Sequence, residues 1–268
     1  MSTDARLVRE VVCYHTGPYS GKAKPGEREQ RARAGRGARL SFAGVAEPLG
    51  TDEIRLHLLD LTSDEGDWDV LDATERSRAL AIHAGVRRRR FVATRTRLRC
   101  TLADYTGARP ADLDIRVGRH GKPYLFEGGG LELSLAHTGD VALIAVARGA
   151  PIGVDVERTR EERAYAAVLR RFFAAHVADE IQSLAPGRRA AEFCRLWTAH
   201  EAYVKATGTG LELAKRIDPC RDLRPYRVVT FALPAGLCAS VCWRGAARRI
   251  VWEGITSPPA GLALPPRR

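Results

Sequence analysis

Between Asp114 and Glu157 the chain carries five short apolar runs, DIRV, PYLF, LELSLAH, VALIAVA and PIGVDVE, each set off from the next by glycine. Runs of this length bounded by glycine turns read as strands joined in series, with hairpin turns expected at Glu127 to Gly130, Thr138 to Asp140 and Arg148-Gly149. Upstream, Ile54, Leu56 and Leu58 alternate with polar residues as a half-buried strand would. A helical stretch then runs from Thr74 to about Gly107. Its second part steps through Phe91, Thr94 or Arg95, Leu98, Leu102 and Tyr105 at three- and four-residue spacing, and Gly107 is a natural stop. Helical patterning returns from Phe172 to Leu184 and from Ala190 to Thr207, before a second strand-like region from about Arg227 to Trp252. The order strand, long helix, sheet, helices, sheet defines an α+β protein.

A length of 268 residues suits one or two domains. With 45% hydrophobic and 28% charged residues the composition is that of a globular chain, which excludes wholesale disorder or a coiled coil. The longest uncharged stretch, Val228 to Trp243, is 16 residues and falls short of the roughly 20 that a membrane helix needs. The N-terminus shows no secretory pattern, so the expected location is cytoplasmic. Forty-three basic residues against 32 acidic ones give a net charge of +11, which points to a polyanionic partner: nucleic acid, an acidic protein surface or a phosphorylated small molecule. Gly21 to Leu40 holds seven basic and two acidic residues with few large apolar ones, and reads as a disordered arm. The six scattered cysteines match neither a disulfide framework nor a zinc site and are expected to be reduced core thiols.

Chemistry concentrates in two places. In the run GVDVE, Asp155 and Glu157 are two residues apart, so on a strand both carboxylates face one side while Val154 and Val156 face the other. Neighbouring carboxylates repel unless solvated or sharing a cation, and oxygen ligands of this kind suit Mg²⁺. On the following helix Trp197, Glu201 and Lys205 are each four apart and share a stripe. Gly208-Thr209-Gly210 then permits close backbone approach. His137 ends a strand just before a turn, and Gly121-Lys122-Pro123 forms another turn; neither is informative in isolation.

Their order and spacing are informative. The helix with Arg95, Leu98 and Arg99, the Gly121-Lys122-Pro123 turn, the strand ending AHTGD, the run GVDVE and the helix WTAHEAYVKATGTGL together resemble the Sfp-type 4′-phosphopantetheinyl transferases, from about Ile54 to Leu211. That resemblance implies two similar α+β subdomains related by a pseudo-twofold, each a small, mainly antiparallel sheet packed against a long helix, with coenzyme A between them. It implies an enzyme that moves the phosphopantetheine arm of coenzyme A onto a serine of an apo acyl or peptidyl carrier protein, requires Mg²⁺ and releases adenosine 3′,5′-bisphosphate. By the same resemblance Asp155, Glu157 and Glu201 are the metal ligands, and Glu201 also helps to deprotonate the serine. Lys205 meets the pyrophosphate, while Arg95, Lys122, Pro123, His137 and His200 bind coenzyme A.

Two positions depart from the pattern. The strand reads Ser134-Leu135-Ala136-His137 where the family usually has Asn-x-Ser-His, and His200 stands where it has Lys or Arg. A mostly neutral imidazole there implies weaker or more pH-dependent coenzyme A binding, which His200→Lys should improve. The excess arginine, including Arg87 to Arg90, suits electrostatic steering of an acidic carrier protein. Alternatives of other classes are a metal-dependent phosphodiesterase or nuclease, which lacks a second metal-ligand cluster, and a basic nucleic-acid-binding module, which lacks interleaved aromatic platforms. The expected organisation is a basic extension over 1–53, a first subdomain over 54–157, a second over 158–256 and a flexible tail over 257–268, acting as a monomer.

Overall fold

A computed structural model describes residues 12–14, 48–159, 165–210 and 225–253. The elements in order are β1 (Val12–Tyr14), β2 (Glu53–Asp60), α1 (Ala73–Ala81), α2 (Gly85–Thr106), β3 (Ile115–Val117), β4 (Pro123–Leu125), β5 (Leu131–Thr138), β6 (Val141–Arg148) and β7 (Ile152–Arg158). They continue with α3 (Tyr165–Phe172), α4 (Ala175–Ser183), α5 (Pro186–Thr207), β8 (Tyr226–Leu233), β9 (Leu237–Arg244) and β10 (Arg249–Glu253). The arm over Gly21 to Leu40 and the tail lie outside the described residues. Among the described residues no helix is long and apolar enough to cross a membrane.

The α+β class is as expected. One sheet runs β10-β2-β6-β5, a second β1-β8-β9-β7, and β3-β4 form a separate hairpin. In each four-stranded sheet one outer strand, β1 or β10, pairs parallel with its neighbour, and the remaining pairings are antiparallel. The sheets do not follow the expected division at Glu157. A boundary at Glu157 places β7 in the first subdomain and β10 in the second, whereas β7 pairs with β9 and β10 with β2. The N-terminal segment contributes a strand to the second sheet through β8. These pairings follow burial: Ile152, Val154 and Val156 share a core with Phe231, Ala239 and Val241 from one sheet and Ile54, Leu56 and Leu143 from the other.

The VALIAVA run is continuous rather than alternating because β6 is covered on both sides. Leu143 and Ala145 face the core between the sheets, while Ile144 and Val146 pack against Leu98 and Leu102 of α2. The helix expected from Thr74 to Gly107 is two helices. Ile82 is extended, at φ −83° and ψ 106°, and closes α1 on Ala79, while α2 begins at Gly85. Asp72 and Glu75 form a reciprocal capping box at the start of α1. Gly107 ends α2 at φ 70°, a left-handed stop that glycine adopts without steric cost.

Helix α5 lies across β7 and β9. Thr198 fastens it there, its hydroxyl 2.8 Å from Ser240 Oγ on β9. Cys194, Cys238 and Cys242 are buried free thiols and Cys100 is a half-buried one, as expected for these four.

Candidate active site

Gly153, Asp155 and Glu157 occupy the face of β7 opposite the buried valines, and Gly153 lets α5 approach at backbone distance. A Cβ at Gly153 would stand 2.0 Å from Ala202 O and 2.5 Å from Ala206 N. With the helix so close, Lys205 reaches the strand: its Nζ donates to Asp155 Oδ1 at 2.8 Å and to Val154 O at 3.0 Å. Asp155 is only 7% exposed, and its Oδ2 is buried without a hydrogen-bond partner among the described residues. Burial pushes the Asp155 carboxyl above the usual carboxylate range, with the Lys205 ammonium pulling the other way. Glu157 Oε2 accepts a hydrogen bond from Thr138 Oγ1 on β5 at 3.1 Å.

One turn before Lys205, Glu201 is half-buried. Its carboxyl is pushed up to about 7, first by burial and then by the negative charges of Asp155 and Glu157, against Lys205. The carboxylates therefore feel one another across the strand–helix junction. As they stand they are not preassembled as a ligand set: among the described residues no three His, Cys, Asp or Glu side chains gather to hold a metal ion. Lys205 takes one oxygen of Asp155 and Thr138 one oxygen of Glu157. The donor chemistry fits a hard divalent cation nonetheless, through the orphaned Asp155 Oδ2 and through the burial and carboxylate repulsion at Glu201, which Lys205 only partly offsets.

A cavity of about 280 Å³ opens beside this junction. Its walls are the β3–β4 turn with Lys122 and Pro123, Ser134 and Leu135 of β5, and the end of α5 with Glu201 and Lys205. Lys122 is half-buried, donates to Ile152 O at 2.8 Å, and has its ammonium shifted down by burial. His120 and Gly210 face each other at the wall, so close that a Cβ on Gly210 would meet His120 Nδ1 at 2.6 Å.

The remaining expected contacts do not line this cavity. His137 is exposed on β5, two residues beyond Leu135. Arg95 does not line the cavity. Its guanidinium is buried and ion-paired with Glu75. His200 is 1% exposed, ringed by Phe172, Phe173 and Trp197 with centroids 5.4, 5.5 and 5.8 Å away, and neither ring nitrogen has a partner among the described residues. Burial holds its pKa at about 4, so it is neutral, and a lysine at this position would put a charge among aromatic rings rather than against a phosphate. Of the steering arginines, Arg89 and Arg90 are spent on Asp140, at 2.8 and 2.7 Å, and brace the β5–β6 turn. Sequence reasoning missed Thr138, Ser134 and Gly153. The signal for Gly153 was present, a glycine inside a strand run beside two carboxylates, which marks close backbone approach.

The family model of the 4′-phosphopantetheinyl transferase superfamily matches residues 151–250, from the start of β7 into β10. The chain is 34% identical over 177 residues to the 4′-phosphopantetheinyl transferase HetI of Nostoc, covering 63% of this chain and 75% of that protein. It is 36% identical over 201 residues to the L-aminoadipate-semialdehyde dehydrogenase-phosphopantetheinyl transferase of Eremothecium gossypii, covering 71% and 70%. The chain belongs to the 4′-phosphopantetheinyl transferase superfamily. A third relative, the 4′-phosphopantetheinyl transferase of Bacillus subtilis, is 29% identical over 116 residues, 43% of this chain and 50% of that protein. These relationships support phosphopantetheinyl transfer and neither the phosphodiesterase nor the nucleic-acid alternative. Enzymes of this family act on carrier proteins with coenzyme A and are generally metal-dependent.

The raised Glu201 pKa has a stability consequence for this phosphopantetheinyl transferase without metal. An acid whose folded pKa lies above its unfolded value binds more protons when folded. Its favourable contribution is present at low pH and is lost as pH rises from about 4.5 to about 7. Glu201→Gln removes that loss. In chelator, the variant is expected to exceed the parent in urea stability at pH 8 by about 2–3 kcal/mol and to match it near pH 4.5. Equal stabilities at pH 8 would show that Glu201 is not strained by its neighbours.

Proposed function

We propose that this enzyme transfers the phosphopantetheine arm of coenzyme A to a serine hydroxyl of an apo acyl or peptidyl carrier protein, with Mg²⁺ held by Asp155, Glu157 and Glu201. The observation that carries this reading is the Lys205–Asp155 contact at 2.8 Å beside a cavity walled by Glu201, Lys205 and Lys122. Mg²⁺ would supply the countercharge shared by the carboxylates and the pyrophosphate oxygens.

The chain's own groups account for the rest. Lys122 and Lys205 present two ammonium groups to an anionic pyrophosphate in the cavity, and a group that donates to developing charge on non-bridging oxygens lowers the barrier to phosphoryl-type transfer. The serine oxygen forms a bond to the phosphorus bearing the pantetheine arm, and the phosphoanhydride bond to the adenosine portion breaks. The serine proton passes to a Glu201 carboxylate oxygen. A carboxylate oxygen can accept that proton as the bond to phosphorus forms, and adenosine 3′,5′-bisphosphate leaves with the electron pair.

The test is intact-mass spectrometry of a purified apo carrier protein incubated with enzyme, coenzyme A and Mg²⁺. The parent enzyme is expected to add one phosphopantetheine only when metal is present, and Asp155→Ala to slow the transfer by about 10²–10³-fold. Carriers that stay apo with the parent enzyme, or unchanged transfer by Asp155→Ala, would overturn the assignment.

A further inference from the structure

Strands β5 and β7 belong to different sheets but lie against each other, and side chains make the polar links between them. Ser134 Oγ accepts the Val154 amide at 3.0 Å, and Thr138 Oγ1 donates to Glu157 Oε2 at 3.1 Å. Ser134, Ala136 and Thr138 alternate onto one face of β5 and all are buried, with Ala136 packed in the core between the sheets. The hydroxyls thus grip the acidic strand on either side of Asp155, at the amide before it and the carboxylate after it.

We propose that Thr138 is a positioning residue whose hydroxyl fixes Glu157 for metal binding, with Ser134 holding the strand beneath it in place; this rests on the reading of Asp155 and Glu157 as metal ligands. A free glutamate samples many rotamers, and here its charge would also swing away from Asp155 on the same strand face. A donor on Oε2 removes that freedom in advance, and it occupies only part of the carboxylate's acceptor capacity, leaving Oε1 for a cation. Partners that orient a metal's ligands typically contribute 10–100-fold to metal affinity. The Asn-x-Ser-His departure looks different in this light. The hydroxyls on this face of β5 stand at Ser134 and Thr138, and they serve the acidic strand.

The experiment is calorimetric titration of MgCl₂ into the whole protein, with Thr138→Val, which keeps the branched shape, and Thr138→Ser, which keeps the hydroxyl. Thr138→Val is expected to raise the Mg²⁺ dissociation constant about tenfold while KM for coenzyme A stays within about twofold, and Thr138→Ser to restore metal affinity to within about threefold of the parent. In a Glu157→Gln background the Thr138→Val change should add no further loss, a comparison that separates positioning from general damage to the fold. Parent-like affinity in Thr138→Val, or equal loss in Thr138→Val and Thr138→Ser, would overturn the proposal. A parent protein that takes up no Mg²⁺ would instead overturn the metal assignment on which the proposal stands, so the two failures are distinguishable.

Discussion

Gly153→Ala is expected to abolish phosphopantetheinyl transfer and to lower stability by about 3–5 kcal/mol, more than a single added methyl costs in most cores. The atoms in the way are backbone: Ala202 O at 2.0 Å, Ala206 N at 2.5 Å and Ala202 C at 3.0 Å. No side-chain rotation relieves such a contact, so α5 must move off β7 by more than an ångström. Lys205 lies one residue from that contact, and its 2.8 Å bond to Asp155 would go with the displacement. Ala202→Gly should fail to rescue the variant, because the obstructing oxygen belongs to the peptide and not to the methyl group. Gly85→Ala is the control: nothing lies within 4 Å of the added Cβ at the start of α2, and stability should hold or rise by about 0.5 kcal/mol. Thermal and urea denaturation together with carrier-protein modification check these outcomes. A Gly153→Ala enzyme retaining parent activity would mean that the strand and helix can separate without disturbing the catalytic groups.

The second large effect belongs to Arg99, the bulkiest fully buried side chain among the described residues. Its guanidinium pairs with Glu75 Oε2 at 2.6 Å and Asp72 Oδ2 at 2.5 Å, and donates to Pro110 O and Leu113 O, both at 2.9 Å. Glu75 also pairs with Arg95, so one buried carboxylate is shared by two arginines. Arg99→Met would leave that carboxylate half-compensated and two carbonyls without donors, at a cost of about 3–5 kcal/mol. Adding Glu75→Gln should recover part of the loss, since the damage comes chiefly from the partner left charged and buried. Arg99→Lys cannot substitute, because an ammonium lacks the planar fork that reaches four acceptors in different directions. Urea unfolding measures the cost, and a loss under about 1 kcal/mol would contradict this account. Coenzyme A affinity of the folded fraction should be unchanged, because Arg99 lies outside the cavity wall.

The same network marks the boundary of what was legible in the sequence. Local features were readable: the half-buried β2, the acidic face of β7, the Glu201–Lys205 spacing and the Gly107 stop each depend on a few neighbouring residues. The family resemblance puts Arg95 at coenzyme A, and its ion pair with Glu75, twenty residues away on another helix, is beyond the reach of any periodicity. His200 had a motif position but no visible environment, and only the folding of α3 against α5 surrounds it with Phe172 and Phe173. The exchange of β7 and β10 between the sheets was hidden for a related reason. An apolar run announces a strand, whereas its partner is decided by which distant faces are buried together.

The pairing of β10 beside β2 also governs when this enzyme can come into being. Residues 53–60 precede β5 and β6 in the chain and form most of one sheet with them, but their outer neighbour is Arg249–Glu253. Arg249 locks that strand in place through its amide to Asp52 O at 2.7 Å and its guanidinium to Glu53 at 3.1 Å. Until those residues are synthesised the edge of β2 stays open, exposing unpaired backbone groups to any passing strand. That sheet is therefore completed only after α3 to α5, β8 and β9 have been made, and the β2 edge is open to misplaced pairing throughout that interval.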